Sequence, residues 1–261
     1  MDKTPKELAF LRDLYIASDW TTRFTDIFDK NFKFGSEKRI FYVNAGTGNH
    51  ALALSKKLND ASQINGFNED DELNVIANAK ADIVKADVYF SGFYPDETFD
   101  TVLADASFVE PNNLRSFLAE VVDLSSGQIA VFLPTAGSFG EIFSFLWETL
   151  FELDLLEKGT EVERLISELP TVTKLKEIVK DLGLTKLQTE TETEFFEFEN
   201  GAEFVASPLV ENFLFPVWLD FLDAEDQRRV REKLAEAIDA DVESLTFSFS
   251  VKATLVTGEK I

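Results

Sequence analysis

The stretch Arg39–Ala51, RIFYVNAGTGNHA, decides the fold. Ile40–Val43 is a short apolar run of strand type. Ala45-Gly46-Thr47-Gly48 interrupts it, and Ala51, Leu52, Leu54 and Leu58 then recur at helical spacing. A strand, a tight glycine turn and a helix N-terminus in that order suit a nucleotide-like ligand. Glycines let the ligand approach bare backbone, and the free N–H groups of the first helical turn point at it. Gly46-x-Gly48-x-x-Ala51 alone is a weak signature, and its weight comes from the elements on either side.

Upstream, residues 5–32 read as helix, with Leu8, Leu11, Leu14 and Tyr15 on one face and Trp20, Phe24, Ile27 and Phe28 on another. Gly35-Ser36 turns the chain into the first strand. Downstream, strands and helices alternate. Ile64–Phe67 is a second strand, Glu72–Ala81 a helix, and Ile83–Lys85 a third strand followed by Asp87. Phe99–Ala104 is a fourth strand ending at Asp105. Asn113–Leu124 is a helix, and Gln128–Leu133 is a fifth strand stopped by Pro134. Such alternation predicts a parallel sheet with helices on both faces, whose ligand crevice lies at the carboxyl ends of the strands. Phe139–Leu156 and Val172–Leu182 then read as helices, and Leu184–Phe198 as a strand. Gly201–Asp239 carries an apolar segment, Phe213–Leu222, and an amphipathic helix, Glu225–Ile238. Leu245–Val256 alternates cleanly, Phe247, Phe249, Val251, Ala253 and Leu255 against Thr246, Ser248, Ser250, Lys252 and Thr254, which is a half-buried strand.

Composition narrows the function. With 261 residues the chain can bury one large core or two modest ones. There is no cysteine and a single histidine, His50, which argues against disulfides, thiolate chemistry and a zinc or iron site. The net charge of −23 disfavours a phosphate-binding nucleic-acid surface. The richest basic cluster, Arg228, Arg229, Arg231 and Lys233, is interspersed with acids on a helix and reads as a solvated face. No run reaches the roughly 18 to 20 apolar residues of a membrane span, and the charged N-terminus lacks a signal-peptide core. The expectation is a cytoplasmic chain with no nucleic acid and no membrane span; its oligomeric state is left open.

Together these motifs resemble the class I S-adenosylmethionine-dependent methyltransferases, in particular their small-molecule and quinone-type branches. The likeness covers nearly the whole chain and is strongest from Arg39 to Leu133. It rests on Ile40–Gly48 as the glycine-rich first motif, Gly66–Leu73 at the end of the second strand, Ala86-Asp87-Val88, Phe99–Asp105, and the closing Val251–Gly258. The resemblance implies an α/β, doubly wound, seven-stranded and mostly parallel sheet with an antiparallel terminal hairpin. Residues 1–261 would form one domain: N-terminal lid helices over 1–34, cofactor-binding βα units over 39–133, helices over 138–182, a helical cap insertion over 201–239 and a terminal strand over 245–258.

It also implies S-adenosylmethionine as cofactor, a small and partly apolar methyl acceptor as partner, and a set of site residues. Asn44, Ala45, Gly46 and Gly48 would meet the methionine part. Asn68 and Glu69 would meet the ribose, Asp87 and Val88 the adenine, and Arg23 the cofactor carboxylate from the lid. Asp105 would lie beside the transferring methyl. Each has an ordinary alternative: a turn cap for Asp105 and Asp87, a helix N-cap for Glu69 and its neighbours, a surface ion pair for Arg23. His50 reads as a base or as a bystander at a helix N-terminus. The aromatic residues Phe139, Phe143, Phe145, Trp147, Phe213, Phe215, Trp218 and Phe221 read as core, or collectively as an apolar wall for the acceptor.

Three positions depart from the family pattern: Tyr42 replaces an acid, Asn44 the first motif glycine, and Asn68 the ribose acid. Each is expected to weaken cofactor affinity by about 1 kcal/mol, the net scale of one hydrogen bond. Two other classes fit part of the pattern. An NAD(P)-dependent oxidoreductase would use the same glycine turn with Glu69 or Asp70 about 20 residues on, but no hydride-transfer set such as Tyr-x-x-x-Lys appears. A non-catalytic relative of the methyltransferases would account for the three departures.

Overall fold

The computed structural model describes residues 3–35, 37–58, 62–240 and 246–260. Ser36, of the expected turn into the first strand, and Leu245, at the start of the expected last strand, lie outside the described residues. Seven strands form one sheet: β1 (Arg39–Val43), β2 (Gln63–Phe67), β3 (Val88–Ser91), β4 (Phe99–Asp105), β5 (Ser125–Thr135), β6 (Leu184–Phe198) and β7 (Phe247–Lys260). Their order is β3-β2-β1-β4-β5-β7-β6. The first five run parallel, with Tyr42 level with Gly66 on one side and Leu103 on the other. β7 enters antiparallel between β5 and β6, so the expected terminal hairpin is present.

The chain divides into two compact units, residues 1–133, 172–192 and 253–261, and residues 134–171 and 193–252. The first holds the N-terminal helices α1 (Pro5–Leu11) and α2 (Thr21–Asn31), joined by a π-helical segment, Arg12–Trp20. It also holds α3 (Asn49–Lys57), α4 (Asp71–Val84) and α5 (Leu114–Leu124). Thr4 and Glu7 start α1 with a reciprocal capping box ahead of Pro5. In β1, Ile40 to Val43 are all buried, because helices cover both faces of a central parallel strand. Phe41, Val43, Phe99, Val102, Leu118, Val121, Ile129 and Val179 pack into one core cluster.

The second unit contains α6 (Gly140–Glu152) and α7 (Gly159–Glu168), followed in the chain by α8 (Val172–Asp181) of the first unit. It resumes with α9 (Gly201–Ala206), α10 (Phe215–Trp218) and α11 (Ala224–Ala240). Its aromatics pack on one another. Phe139 and Phe143 each meet Trp218 edge-on, at 5.1 and 5.5 Å, and Phe196 stacks on Phe249 at 5.0 Å. Trp147 lies so close to Gly159 that a Cβ there would stand 2.4 Å from the indole. Phe139, Phe143, Phe215 and Trp218 are buried and pack as core within their unit.

β5 starts earlier than expected and runs on through Pro134 to Thr135 rather than stopping there, and one strand moves relative to its expectation. Ile83-Val84-Lys85 does not form the third strand; α4 runs on through Val84, keeping Leu73, Ala77 and Ala81 buried and leaving Ile83 80% exposed. The helix is closed by Lys85 in the left-handed region, φ 54°, with the Ala86 N–H donating to the Ala81 carbonyl. β3 begins three residues later, at Val88. α7, Gly159–Glu168, is an element the sequence reading omitted; its buried Val162 and Leu165 make a narrow apolar stripe.

Candidate functional site

The order of the sheet reverses between β1 and β4, and the loops that leave their carboxyl ends diverge there. In an open α/β sheet this is where a ligand crevice forms. Asn44, Gly46 and Gly48 in the loop after β1 all have positive φ, 56°, 58° and 81°. Glycine is needed at the last two for different reasons. At Gly46 a Cβ would meet nothing within 4 Å, so only the backbone conformation demands glycine. At Gly48 a Cβ would also stand 2.8 Å from Phe90 Cζ and 3.1 Å from the Ala77 Cβ. Gly48 is the N-cap of α3 and supplies no side-chain cap, so the N-terminal amides of that helix rely on other partners.

Asn68, at the end of β2, is 2% exposed and is spent on this loop. Its Oδ1 accepts from the Gly46 N–H at 2.7 Å, and its Nδ2 donates to the Gly46 carbonyl at 2.9 Å. Nδ2 also donates to Asn74 Oδ1 at 2.9 Å, and Asn74 Nδ2 returns a bond to the Asn68 carbonyl at 2.9 Å. Asn44 Nδ2 donates to the Asp105 carbonyl at 2.9 Å, tying the loops after β1 and β4 together. Asp70 is the N-cap of α4, accepting from the Glu72 N–H, while Glu69 is exposed.

At the end of β4, Asp105 Oδ1 accepts from the Ser107 N–H at 2.8 Å, which makes it a turn cap. Burial pushes its carboxyl above the ordinary aspartate range, partly offset by its bonds to Ser107 and by the charges of Arg12 and His50. Trp20 Nε1 donates to Ser107 Oγ at 3.0 Å, and the Arg12 guanidinium lies 4.9 Å from the Phe108 ring centroid. Burial draws Arg12 down while Asp105 and Asp70 hold it up. Asp13, next to Arg12, accepts from Thr47 Oγ1 at 2.6 Å and from Lys80 Nζ. Lys80 also donates to Asn49 Oδ1 at 2.6 Å. The π-helical segment is thus pinned to the glycine loop by Asp13 and to the loop after β4 by Arg12 and Trp20.

Tyr42, where an acid is usual, is fully buried. Its hydroxyl pairs with His50 Nδ1 at 2.9 Å, and His50 Nε2 faces Asp29 at 3.4 Å, which also takes Lys57 at 2.5 Å. The hydrogen bond from His50, aided by Lys57 against the effect of burial, holds the Asp29 carboxyl down at about 2.

The structure therefore gathers Asn44, Ala45, Gly46, Gly48, Asn68, Glu69 and Asp105 at one end of the sheet. Asp87 and Val88 are not brought there. They stand at the amino end of β3, because α4 consumes the residues expected to form that strand, and Asp87 is exposed. Arg23 pairs with Asp19 at 2.9 Å one turn away on the helical segment. Sequence reasoning missed Arg12, Asp13 and Lys80. Nothing local marks them, since the first two lie 34 or more residues from the loops they meet. Among the described residues no group of three or more His, Asp or Glu side chains converges to hold a metal.

No family model matches the chain, and no curated protein matches its sequence. Solved structures do match its fold. YcgJ from Bacillus subtilis is similar with a TM-score of 0.56 and 17% identity, over 92% of this chain and 98% of that one. BH2331 from Bacillus halodurans C-125, described as a candidate methyltransferase, is similar with a TM-score of 0.53 and 14% identity, over 92% and 99%. The fold is that of the class I methyltransferases. At such identities the likeness is one of fold, and the methyltransferase fold hosts more than one reaction. The cyclase SpnF is similar with a TM-score of 0.50 and 17% identity, over 91% and 80%. No described helix is long and apolar enough to cross a membrane.

Proposed function

We propose that the chain binds S-adenosylmethionine and transfers its methyl group to a small, partly apolar acceptor. The observation that carries this reading is the left-handed glycine loop at the switch point of a methyltransferase-type sheet, with Asp105 across from it at the end of β4. The loop fits such a ligand at Gly46, where the backbone is bare and a Cβ would meet nothing. Ala45, Gly46 and Gly48 would hold the methionine part, and Glu69, exposed beside the engaged Asn68, would take the ribose hydroxyls. The cofactor supplies an electrophilic methyl on a cationic sulfur. Displacement at that carbon needs alignment above all, so the task of this chain's residues is to orient the acceptor and exclude water. Asp105 would draw a proton from an acceptor that arrives protonated, a role its raised carboxyl favours.

Isothermal titration calorimetry with S-adenosylmethionine, S-adenosylhomocysteine and NAD tests this reading. Binding of the first two and not the third is expected. Binding of NAD alone would overturn it in favour of an oxidoreductase. A second reading, a binding protein without catalysis, draws support from Asn68 and Tyr42, whose polar atoms are taken up inside the protein. It predicts cofactor binding with no turnover on any acceptor.

A further inference from the structure

A partly buried carboxylate beside aromatic faces is a receptor for a cation. Asp105 supplies the carboxylate at the end of β4. Phe108 and Trp20, with ring centroids 5.2 Å apart, supply the faces. In this structure the cation is the protein's own: the Arg12 guanidinium lies over Phe108 at 4.9 Å, within the electrostatic field of Asp105 and Asp70. Its neighbour Asp13 fastens the same π-helical segment to Thr47 of the glycine loop and to Lys80. A π-helical stretch within a helix is a recurrent mark of a functional segment; here the winding runs from Arg12 to Trp20, the two residues that meet the loop after β4.

We propose that Arg12 sets the charge selectivity of the crevice: it holds the place of a ligand cation beside Asp105, and a cationic ligand binds only by displacing it. The proposal rests on the S-adenosylmethionine reading. The donor and its demethylated product differ only in the methyl and the positive charge on sulfur. The guanidinium penalises the donor and tolerates the neutral product. The Asp13–Thr47–Lys80 latch sets how readily the whole segment moves, without regard to ligand charge.

The test is calorimetric binding of S-adenosylmethionine and S-adenosylhomocysteine to the full chain and to Arg12→Gln and Asp13→Asn. Wild type should bind the neutral product more tightly. Arg12→Gln should shift the donor-to-product affinity ratio toward the donor by about tenfold, the scale of removing one like charge from a partly buried site. Asp13→Asn should raise both affinities alike and speed hydrogen exchange across Arg12–Trp20, which checks the latch without any ligand. If Arg12→Gln weakens both ligands equally, Arg12 is a clamp for their shared carboxylate and the proposal falls, while the cofactor reading stands. If neither ligand binds any of the three proteins, the cofactor reading falls and takes the proposal with it.

Discussion

Class I methyltransferase folds commonly carry an acid where this chain has Asn68, so restoring it with Asn68→Asp looks conservative. The structure predicts the opposite. Asn68 is 2% exposed and uses its amide nitrogen twice, toward the Gly46 carbonyl and toward Asn74 Oδ1. A carboxylate keeps the bond accepted from the Gly46 N–H but turns an anionic oxygen toward two acceptors. Two hydrogen bonds disappear, at about 1 kcal/mol each net, and the oxygens left without donors add about 1 kcal/mol or more. Flipping the Asn74 amide does not repair the site, because its Nδ2 would then leave the Asn68 carbonyl. The expected loss is about 3 kcal/mol at neutral pH, a large part of a typical folding free energy. With a urea slope of about 2–3 kcal/mol per molar, the midpoint falls by roughly 1 M. The loss carries a pH signature. Burial raises the new carboxyl above its unfolded value, so stability is lost as pH rises through that window and partly returns below it, where the protonated acid donates one bond. Urea unfolding followed by tryptophan fluorescence at pH 4 and pH 7 measures both effects. Equal midpoints for wild type and Asn68→Asp at pH 7 would refute the stitched loop and return Asn68 to the role of a free ligand-binding side chain.

Three further expectations follow from the same region. Gly48→Ala should cost about 2 kcal/mol or more, through its left-handed φ and the contact with Phe90, whereas Gly46→Ala should cost only about 1 kcal/mol for the conformation alone; equal losses in thermal melts would contradict the two environments. Asp29, with its carboxyl held at about 2, contributes stability that is present above the unfolded value of 3.8 and lost as pH falls toward 2. Asp29→Asn should therefore flatten the acid limb of the stability profile. Asp105 has the opposite sign: its raised carboxyl removes stability as pH rises above 3.8. Asp105→Asn keeps the acceptor for the Ser107 N–H, so its stability relative to wild type should improve from pH 4 to pH 7, and a constant difference would show that Asp105 is not desolvated.

The sequence by itself determined the order of most elements, because strand and helix periodicities are local. Ile40–Val43 with its glycine turn, the fourth strand ending at Asp105 and the alternating run from Phe247 needed no distant partner to be read. Local pattern failed where it was ambiguous: Ile83-Val84 is β-branched and looks like strand, yet α4 carries it because the helix keeps its buried stripe from Leu73 to Ala81 and is stopped only at Lys85. Only the tertiary structure decided what the polar residues do. Asn68 is a loop brace because the Gly46 backbone, 22 positions away, lies against it. Asp13 meets Thr47, and Arg12 meets Phe108, because the sheet order sets the loops after β1 and β4 side by side beneath the N-terminal segment. A side chain's periodicity says which face it takes, whereas its hydrogen bonds depend on what the fold places opposite that face.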